Sequence, residues 1–216
     1  MTASNATGAR LRRAPGNRSG AGAVVLLLHG GAEERDIRPV PRWWPPVLRM
    51  WGFAPALLRS ELRPSVYLLR NPARGWNGGA VPIADTRRAL TLLRGRHPGS
   101  PIVLIGHSMG ARVAAAVVAD PDIAGFVGLA PWLPPDAPIP DLAGRRLLLV
   151  HAAADRDMSA DGTRLWALRA SDALTGGSCD WVRYLEMPRA GHAMLRSFRR
   201  WHRMTAAGVE QILAGR

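Results

Sequence analysis

Continuous apolar runs alternate with helical patterns along most of this chain. Six of these runs are strand-like, and the first of them, 23–29, is continuous and apolar, as is typical of a strand buried on both faces. They cover residues 23–29, 65–70, 101–107, 124–130, 145–152 and 180–187. Helical patterns lie between and after them, at 43–60, 80–97, 109–120, 161–171 and 193–214. The alternation predicts an α/β fold with a mostly parallel sheet and helices on both faces.

The chain before the first run has a different character. Residues 1–21 are polar and rich in Gly, Ala and Arg, which predicts a flexible lead-in that contributes no strand. Residues 22–216 are long enough for one domain with a substantial core. The run at 24–28 leads straight into His-Gly-Gly without a cleavage pattern. No apolar run in the sequence is long enough to span a membrane. We therefore expect a cytoplasmic protein without a membrane partner.

The strong positive charge changes this picture little. The formal net charge is +13, and all 29 basic residues are arginines spread along the chain. Neither a helix-turn-helix nor a ribonucleoprotein-type aromatic motif accompanies them, which favours a solvated basic surface over a nucleic-acid site. Long-range attraction of anionic substrates stays open. The single cysteine, Cys179, excludes an intrachain disulfide and is expected to be a passive thiol.

Polar residues follow the predicted strands at the edge where ligand sites of parallel sheets gather. Residues 29–36 follow the first run, Ser108 follows the third, residues 151–157 follow the fifth and residues 188–195 follow the sixth. A serine, an acid and a histidine thus emerge in that order from neighbouring strand ends. This set of residue types is the one that nucleophilic catalysis by serine requires.

Ser108 lies in Gly-His-Ser-Met-Gly, where a strand passes directly into a helix. Such a bend strains the backbone and is tolerated only beside small residues, which Gly106 and Gly110 supply. The bend would lift the hydroxyl clear of the sheet. The alternative is a serine that only caps the helix beginning near Met109.

A histidine must take the proton of this serine, and a carboxylate must orient that histidine. His192 is favoured because it follows Gly191 in the loop after the last strand, although His29, His107 and His151 also flank the edge. Two carboxylates follow the fifth strand. Asp155 is favoured as the nearer, and Asp157 remains an alternative.

The oxyanion of the reaction needs backbone donors. The N–H of Met109, next to the nucleophile, is the first, and the loop after the first strand supplies the second. Gly31 is favoured, with Ala32 as the alternative, and the His-Gly-Gly sequence could also be a simple tight turn. Trp132, just after the fourth strand, either lines the acyl pocket or packs in the core.

These motifs, in this order, resemble the α/β-hydrolase superfamily, in particular its small actinobacterial esterase, lipase and dienelactone-hydrolase-like members. The resemblance runs from Ala23 to Leu213 and implies a three-layer fold. It matches Ser108 to the nucleophile, Asp155 to the acid, His192 to the base, and Gly31 and Met109 to the oxyanion donors.

The family's first two strands have no counterpart in the sequence pattern, so about six strands are expected. Residues 131–144 are too short for a cap domain. The stretch 74–79, Arg-Gly-Trp-Asn-Gly-Gly, also resembles relatives, without an assignable role.

The predicted function is hydrolysis of a carboxylic ester through a Ser-His-Asp triad, with a small-molecule ester or thioester as substrate and no metal or organic cofactor. Thioesterase, lactonase or carbon–carbon hydrolase activity would use the same residues. A non-catalytic binding module on this fold is the alternative from another class. The oligomeric state and the acyl chain length have no signal in the sequence.

Overall fold

Eight strands form one sheet in the computed structural model, which describes residues 3–4, 8–16, 22–32, 35–174 and 180–214. The strands are β1 (Ala3–Ser4), β2 (Arg10–Arg13), β3 (Val24–Leu28), β4 (Ser65–Arg70), β5 (Ile102–His107), β6 (Ile123–Leu129), β7 (Arg146–Ala152) and β8 (Trp181–Met187). Their order across the sheet is β1-β2-β4-β3-β5-β6-β7-β8. The six strands from β3 to β8 are parallel to one another, as predicted.

Six helices within the described residues cover the sheet. They are α1 (Pro45–Trp51), α2 (Ala54–Arg59), α3 (Ala80–Arg96), α4 (Met109–Val117), α5 (Ala160–Asp172) and α6 (Phe198–Leu213). Helices α3, α4 and α5 bury apolar residues in one core cluster. Helices α1, α2 and α6 bury theirs in a second cluster on the other face. The three-layer architecture is therefore confirmed, and the alternation of strands and helices in the sequence is its cause.

The N-terminal part of the chain corrects the prediction that the first two strands are missing. Strand β2 pairs antiparallel with β4, and β1 pairs antiparallel with β2. Only Leu11 of β2 is buried, while the three arginines around it are exposed. A strand with one buried position carries almost no hydrophobic pattern, which is why the sequence did not reveal it. The single-domain division of the chain remains a prediction.

Two predicted helices have different limits in the structure. The helix expected at 43–60 is two helices that break at Gly52. Pro55 has no N–H to donate to residue 51, so a continuous helix would lose a hydrogen bond there. The last helix begins at Phe198 rather than at 193. Met194 and Ser197 have φ values of 57° and 58°, and this left-handed backbone cannot belong to an α-helix.

The link between β6 and β7 leaves the carboxyl edge of the sheet without a cap domain. Residues 130–145 are all described and contain neither a helix nor a strand. Cys179 lies outside the described residues. None of the helices in the described part of the chain is both long enough and apolar enough to cross a membrane.

Candidate active site

The turn from β5 into α4 holds Ser108 in a strained conformation. Its φ is 52° and its ψ is −120°, and its side chain makes no capping hydrogen bond to the helix. A Cβ on Gly110 would lie 2.2 Å from the carbonyl oxygen of Leu28, and one on Gly106 would lie 2.4 Å from the amide nitrogen of Ala111. Both neighbours must therefore be glycine, as predicted, and the geometry does not support Ser108 as a simple helix cap.

His192 and Asp155 meet at the carboxyl edge of the sheet. The Nδ1 atom of His192 lies 2.9 Å from Oδ2 of Asp155. A carboxylate only accepts hydrogen bonds, so Nδ1 carries the proton of the neutral ring and Nε2 presents a lone pair. This is the tautomer that a general base requires.

The carboxylate of Asp155 is held on both oxygens. Its Oδ1 atom accepts hydrogen bonds from the backbone amides of Asp157 and Met158, each at 2.9 Å. Its Oδ2 atom lies 3.2 Å from Nε2 of His151 as well as beside His192. Burial by itself would raise the pKa of Asp155, but the hydrogen bonds from His151, His192 and Met158 together lower the pKa well below its usual range. Asp155 is therefore an anion at any pH where the protein works.

Asp157 occupies a different position. Its side chain is exposed, and its backbone amide, rather than its carboxylate, takes part in the network by donating to Asp155. Of the two carboxylates left open by the sequence, Asp155 is the one hydrogen-bonded to His192.

The other histidines are engaged elsewhere. His29 is fully buried, and its Nε2 accepts from the amide of Asn71 while its Nδ1 donates to the carbonyl of Gly30. Burial lowers the pKa of His29 to about 4, so the ring stays neutral. The ring of His97 contacts the hydroxyl of Tyr67, and that of His202 packs edge-on against Phe53. The sequence placed His29 within reach as a base, but its hydrogen bonds make it a support of the first loop.

His107 and His151 contact the other members of the candidate site, His107 at the backbone of His192 and His151 at the carboxylate of Asp155. The Nε2 atom of His107 donates to the backbone oxygen of His192 at 2.9 Å, and the two rings lie 4.8 Å apart between centroids. The pKa of His107 is lowered to about 3, mainly by burial and to a smaller extent by the neighbouring His192 and Arg49. From the sequence, both histidines were alternative bases or side chains packed against a neighbouring loop, and the contact of His107 with the loop of His192 fits the second interpretation. Their positions at the ends of buried strands that flank the site were the signal for this supporting role.

The loop after β3 comes close to the start of α4. A Cβ on Gly31 would lie 2.6 Å from Sδ of Met109 and 2.3 Å from the carbonyl oxygen of Arg74, so only glycine fits here. The amide of Ala32 donates to that same carbonyl at 2.9 Å and is not available to a substrate. Met109 is the first residue of α4, so its N–H has no partner within the helix. Gly31 is thus the better candidate of the two loop residues.

The stretch 74–79 pairs with this loop. Besides the bond from Ala32 to Arg74, the amide of Trp76 donates to the carbonyl of Ala32 at 3.0 Å, and the amide of Gly75 donates to Asp36 at 2.8 Å. The side chain of Asn77 accepts from the amide of Asp36 at 2.9 Å. The stretch without an assignable role in the sequence therefore fixes the loop that carries Gly31.

The backbone of Trp132 contacts the turn that carries Ser108, and its ring belongs to a small aromatic group. The amide of Trp132 donates to the carbonyl of Ser108 at 3.2 Å. The ring of Trp132 meets the ring of Trp76 edge-on at 5.8 Å, and the guanidinium of Arg112 lies over both, 4.2 Å and 4.6 Å from the centroids. The sequence missed Arg112, whose signal was its place one helical turn after Ser108.

Two cavities flank this aromatic group, and Leu133 lines both. One has a volume of about 410 Å³ and is bordered by Trp76 and Arg112. The other has a volume of about 420 Å³ and lies between Trp132 and Asp157. Trp132 is half-buried at the border of a cavity, so it is not a core residue alone.

One group of side chains has a spacing that could hold a metal ion. Ligand atoms of Asp155, Asp157 and His192 lie within 4.8 Å of one another, the one such group within the described ranges. Both oxygens of Asp155 already accept hydrogen bonds, so a cation would have to displace them. A reaction without a metal remains a prediction.

Residues 23–178 match the family model described as the alpha/beta hydrolase fold. The chain belongs to the α/β-hydrolase family. Similar solved α/β-hydrolase structures include a serine hydrolase without lid from Xanthomonas campestris, with a TM-score of 0.74 and 16% identity over 100% of this chain and 95% of that one. An esterase from Pyrococcus furiosus gives a TM-score of 0.68 and 15% identity over 98% and 91% of the two chains.

A protein of unknown function from Agrobacterium tumefaciens shares the α/β-hydrolase architecture, with a TM-score of 0.75 and 16% identity over 100% of this chain and 96% of that one. No curated protein matches the chain. At these identities the structural likeness establishes the fold, and the chemistry must be argued from the residues of this chain.

Proposed function

We propose that this protein is a serine hydrolase that cleaves carboxylic esters through Ser108, His192 and Asp155. The observation that carries the proposal is the hydrogen bond from Nδ1 of His192 to the buried carboxylate of Asp155. It leaves Nε2 as the proton acceptor in a loop that His107 ties to the serine turn. Serine is a weak nucleophile until such a base removes its proton.

The reaction proceeds in two halves. Nε2 of His192 takes the proton of Ser108 as the oxygen attacks the ester carbonyl, and the N–H groups of Gly31 and Met109 stabilise the oxyanion. The tetrahedral intermediate collapses to an acyl-enzyme, and the alcohol leaves with the proton held by His192. Water, deprotonated by the same histidine, then attacks the acyl group, and the acid is released. Every step uses side chains and amides of this chain.

Trp132 is proposed as a substrate contact. Its amide is bonded to the carbonyl of Ser108, and its ring is held against Trp76 and Arg112, so the residue has a defined position near the turn of the nucleophile. The linings of the two cavities beside the aromatic group include neither Ser108 nor His192, so we assign these cavities to the outer parts of a small ester rather than to its carbonyl group. A thioester or a lactone would use the same residues, so the leaving group has to be found by experiment.

A fluorophosphonate probe tests the nucleophile directly. Intact-mass spectrometry should show one adduct on the native protein, none on Ser108→Ala, and an unchanged adduct on the control Ser171→Ala, an exposed serine of α5. Folded protein that does not react at Ser108 would overturn the proposal and favour a binding module. A panel of p-nitrophenyl esters, an acyl thioester and a lactone then separates esterase from the alternatives.

A further inference from the structure

Four arginines line one small cavity away from the serine. Arg10 and Arg12 of β2, Arg70 of β4, and Arg42 before α1 border a volume of about 250 Å³. Apolar atoms of Val47, Trp51 and Leu68 complete its lining. The lining of the cavity therefore combines four arginines with three apolar residues.

The register of the sheet forces these charges together. Arg10 lies directly opposite Arg70 in the antiparallel pair of β2 and β4, and Arg12 points to the same face as Arg10. Like charges in directly opposed positions destabilise a sheet. The pKa of Arg70 is lowered, mainly by partial burial and then by the positive charges of Arg10 and Arg12. Repulsion is thus built into this face.

No carboxylate within the described residues relieves the repulsion. The ion pairs of that part of the chain involve other arginines and histidines, and none includes Arg10, Arg12, Arg42 or Arg70. Arg70 donates a hydrogen bond to the carbonyl of Val40, which fixes one edge of the cavity. A cluster of this kind is most simply stabilised by a bound anion.

A second cavity continues the first. It has a volume of about 450 Å³, shares Arg12 and Trp51 with the arginine cavity, and is otherwise lined mainly by apolar groups of Pro15, Ala54, Pro55 and Leu58, with Arg13. Trp51 is half-buried and borders both cavities. The two together form what we call the arginine groove, charged at one end and apolar at the other.

We propose that the arginine groove binds a phosphate monoester with an apolar or aromatic organic part. The phosphate would be held by the guanidinium groups, which match its oxygens in pairs, and the organic part would lie against Trp51. A volume of about 250 Å³ admits a phosphate group but not a large polyanion. The apolar end distinguishes an organic phosphate from the free ion.

The groove is separate from the proposed catalytic serine. Strands β4 and β3 lie between β2 and the strand β5 that leads to Ser108. The separation from β5 is three strand spacings, about 14 Å, for β2, and two spacings, about 10 Å, for β4, which carries Arg70. The proposed phosphate site can therefore be tested independently of the proposed ester hydrolysis.

Isothermal titration calorimetry at constant ionic strength tests binding to the arginine groove, with phenyl phosphate and inorganic phosphate as probes. Phenyl phosphate should bind more tightly than inorganic phosphate. The double variant Arg12→Gln/Arg42→Gln should weaken phenyl phosphate at least tenfold, since each hydrogen-bonded charge contributes about tenfold or more to binding. The matched control Arg96→Gln/Arg203→Gln removes two exposed arginines elsewhere and should bind as the native protein does.

Two further measurements complete the test. Without ligand, the double variant should melt no lower than the native protein, because both side chains are exposed and repulsion is removed. If that variant fails to fold, Arg42→Gln alone, in the loop before α1, should still weaken binding several-fold. Sedimentation with phosphatidylcholine vesicles, with and without phosphatidic acid, then distinguishes a soluble phosphate from a lipid headgroup, and either source supports the proposal. Equal weakening in the matched control, or undiminished binding in the double variant, would overturn it.

Discussion

The Nε2 atom of His107 donates a hydrogen bond to the backbone oxygen of His192. His107, the residue before the serine, thereby holds the loop that carries His192. The ends of β5 and β8 together therefore set the distance between Ser108 and His192. Without this bond, the base would depend on its loop alone for its position.

His107→Ala should therefore lower kcat by about 100-fold, because a displacement of about 1 Å in a reacting group costs that much. His107→Gln, which keeps a donor, should retain more activity than His107→Ala. The measurement is turnover of a short-chain p-nitrophenyl ester, with circular dichroism to confirm folding. Equal activity of His107→Ala and the native protein would show that the loop positions His192 unaided.

The two carboxylates after β7 should respond differently to amide substitution. Asp155→Asn should reduce kcat by about 10⁴-fold, because the amide cannot enforce the Nδ1-protonated tautomer of His192. Asp157→Asn should change kcat by only a few-fold, since its exposed side chain is not bonded to His192. Steady-state kinetics of both variants decides the question. The reverse ranking would make Asp157 the acid.

The two buried neutral histidines predict how stability depends on pH. His29 and His107 have pKa values of about 4 and about 3 in the folded protein, and about 6.5 when unfolded. Between pH 6.5 and 4 the unfolded chain binds protons that the folded protein does not, so the free energy of unfolding falls as the pH falls. Each histidine contributes about 1.4 kcal/mol per pH unit in this window.

Urea unfolding at several values of pH between 7 and 4 measures this slope. His29→Gln should reduce the slope by about 1.4 kcal/mol per pH unit, because glutamine can accept from Asn71 and donate to Gly30 without titrating. The slopes are compared rather than the absolute stabilities, since the substitution also changes packing. An unchanged slope would mean that His29 is protonated in the folded state.

Gly31→Ala should damage catalysis more than folding. The new Cβ would meet the backbone oxygen of Arg74 at 2.3 Å, so the loop must move away from Met109. We expect kcat to fall by about 100-fold or more, in line with the loss of an oxyanion donor. Fluorophosphonate labelling of Ser108 should slow in parallel.

Gly95→Ala is the matched control for that substitution. Gly95 lies on the exposed side of α3, and nothing lies within 4 Å of the position of its Cβ. Alanine there should stabilise the protein by up to about 1 kcal/mol through helix propensity and leave kcat unchanged. Similar activities for the two variants would remove Gly31 from the proposed oxyanion hole.

The sequence predicted the central strands well because each is a buried apolar run. Ser65–Arg70 was predicted without error, and the other central strands to within one residue at either end. The parallel arrangement then follows from the helices between them, and it brings Asp155 and His192 to one edge. The alternation of strands and helices in the sequence could not reveal which side chains hold Asp155 and His192 in place. Whether a strand-end histidine such as His107 acts as a base or holds a loop depends on contacts between distant parts of the chain.

Other features were missed because they leave little pattern. Strand β2 has a single buried residue, Leu11, and the break at Gly52 depends on Pro55 just after it. The role of the stretch 74–79 arises from backbone hydrogen bonds to Ala32 and Asp36, which no side-chain pattern encodes. Arginine residues spread along the sequence are gathered by the antiparallel register into the arginine groove.

Strand β2 has one more consequence. It occupies the side of β4 that β3 does not, and it shields the backbone groups of Tyr67 and Leu69 from other chains. A chain shortened to begin at Gly22 would present β4 as an open, apolar template for pairing with its own copies. The arginine-rich N-terminal segment therefore protects the edge of β4 from pairing with other chains. We expect a protein shortened in this way to aggregate more readily than the full chain.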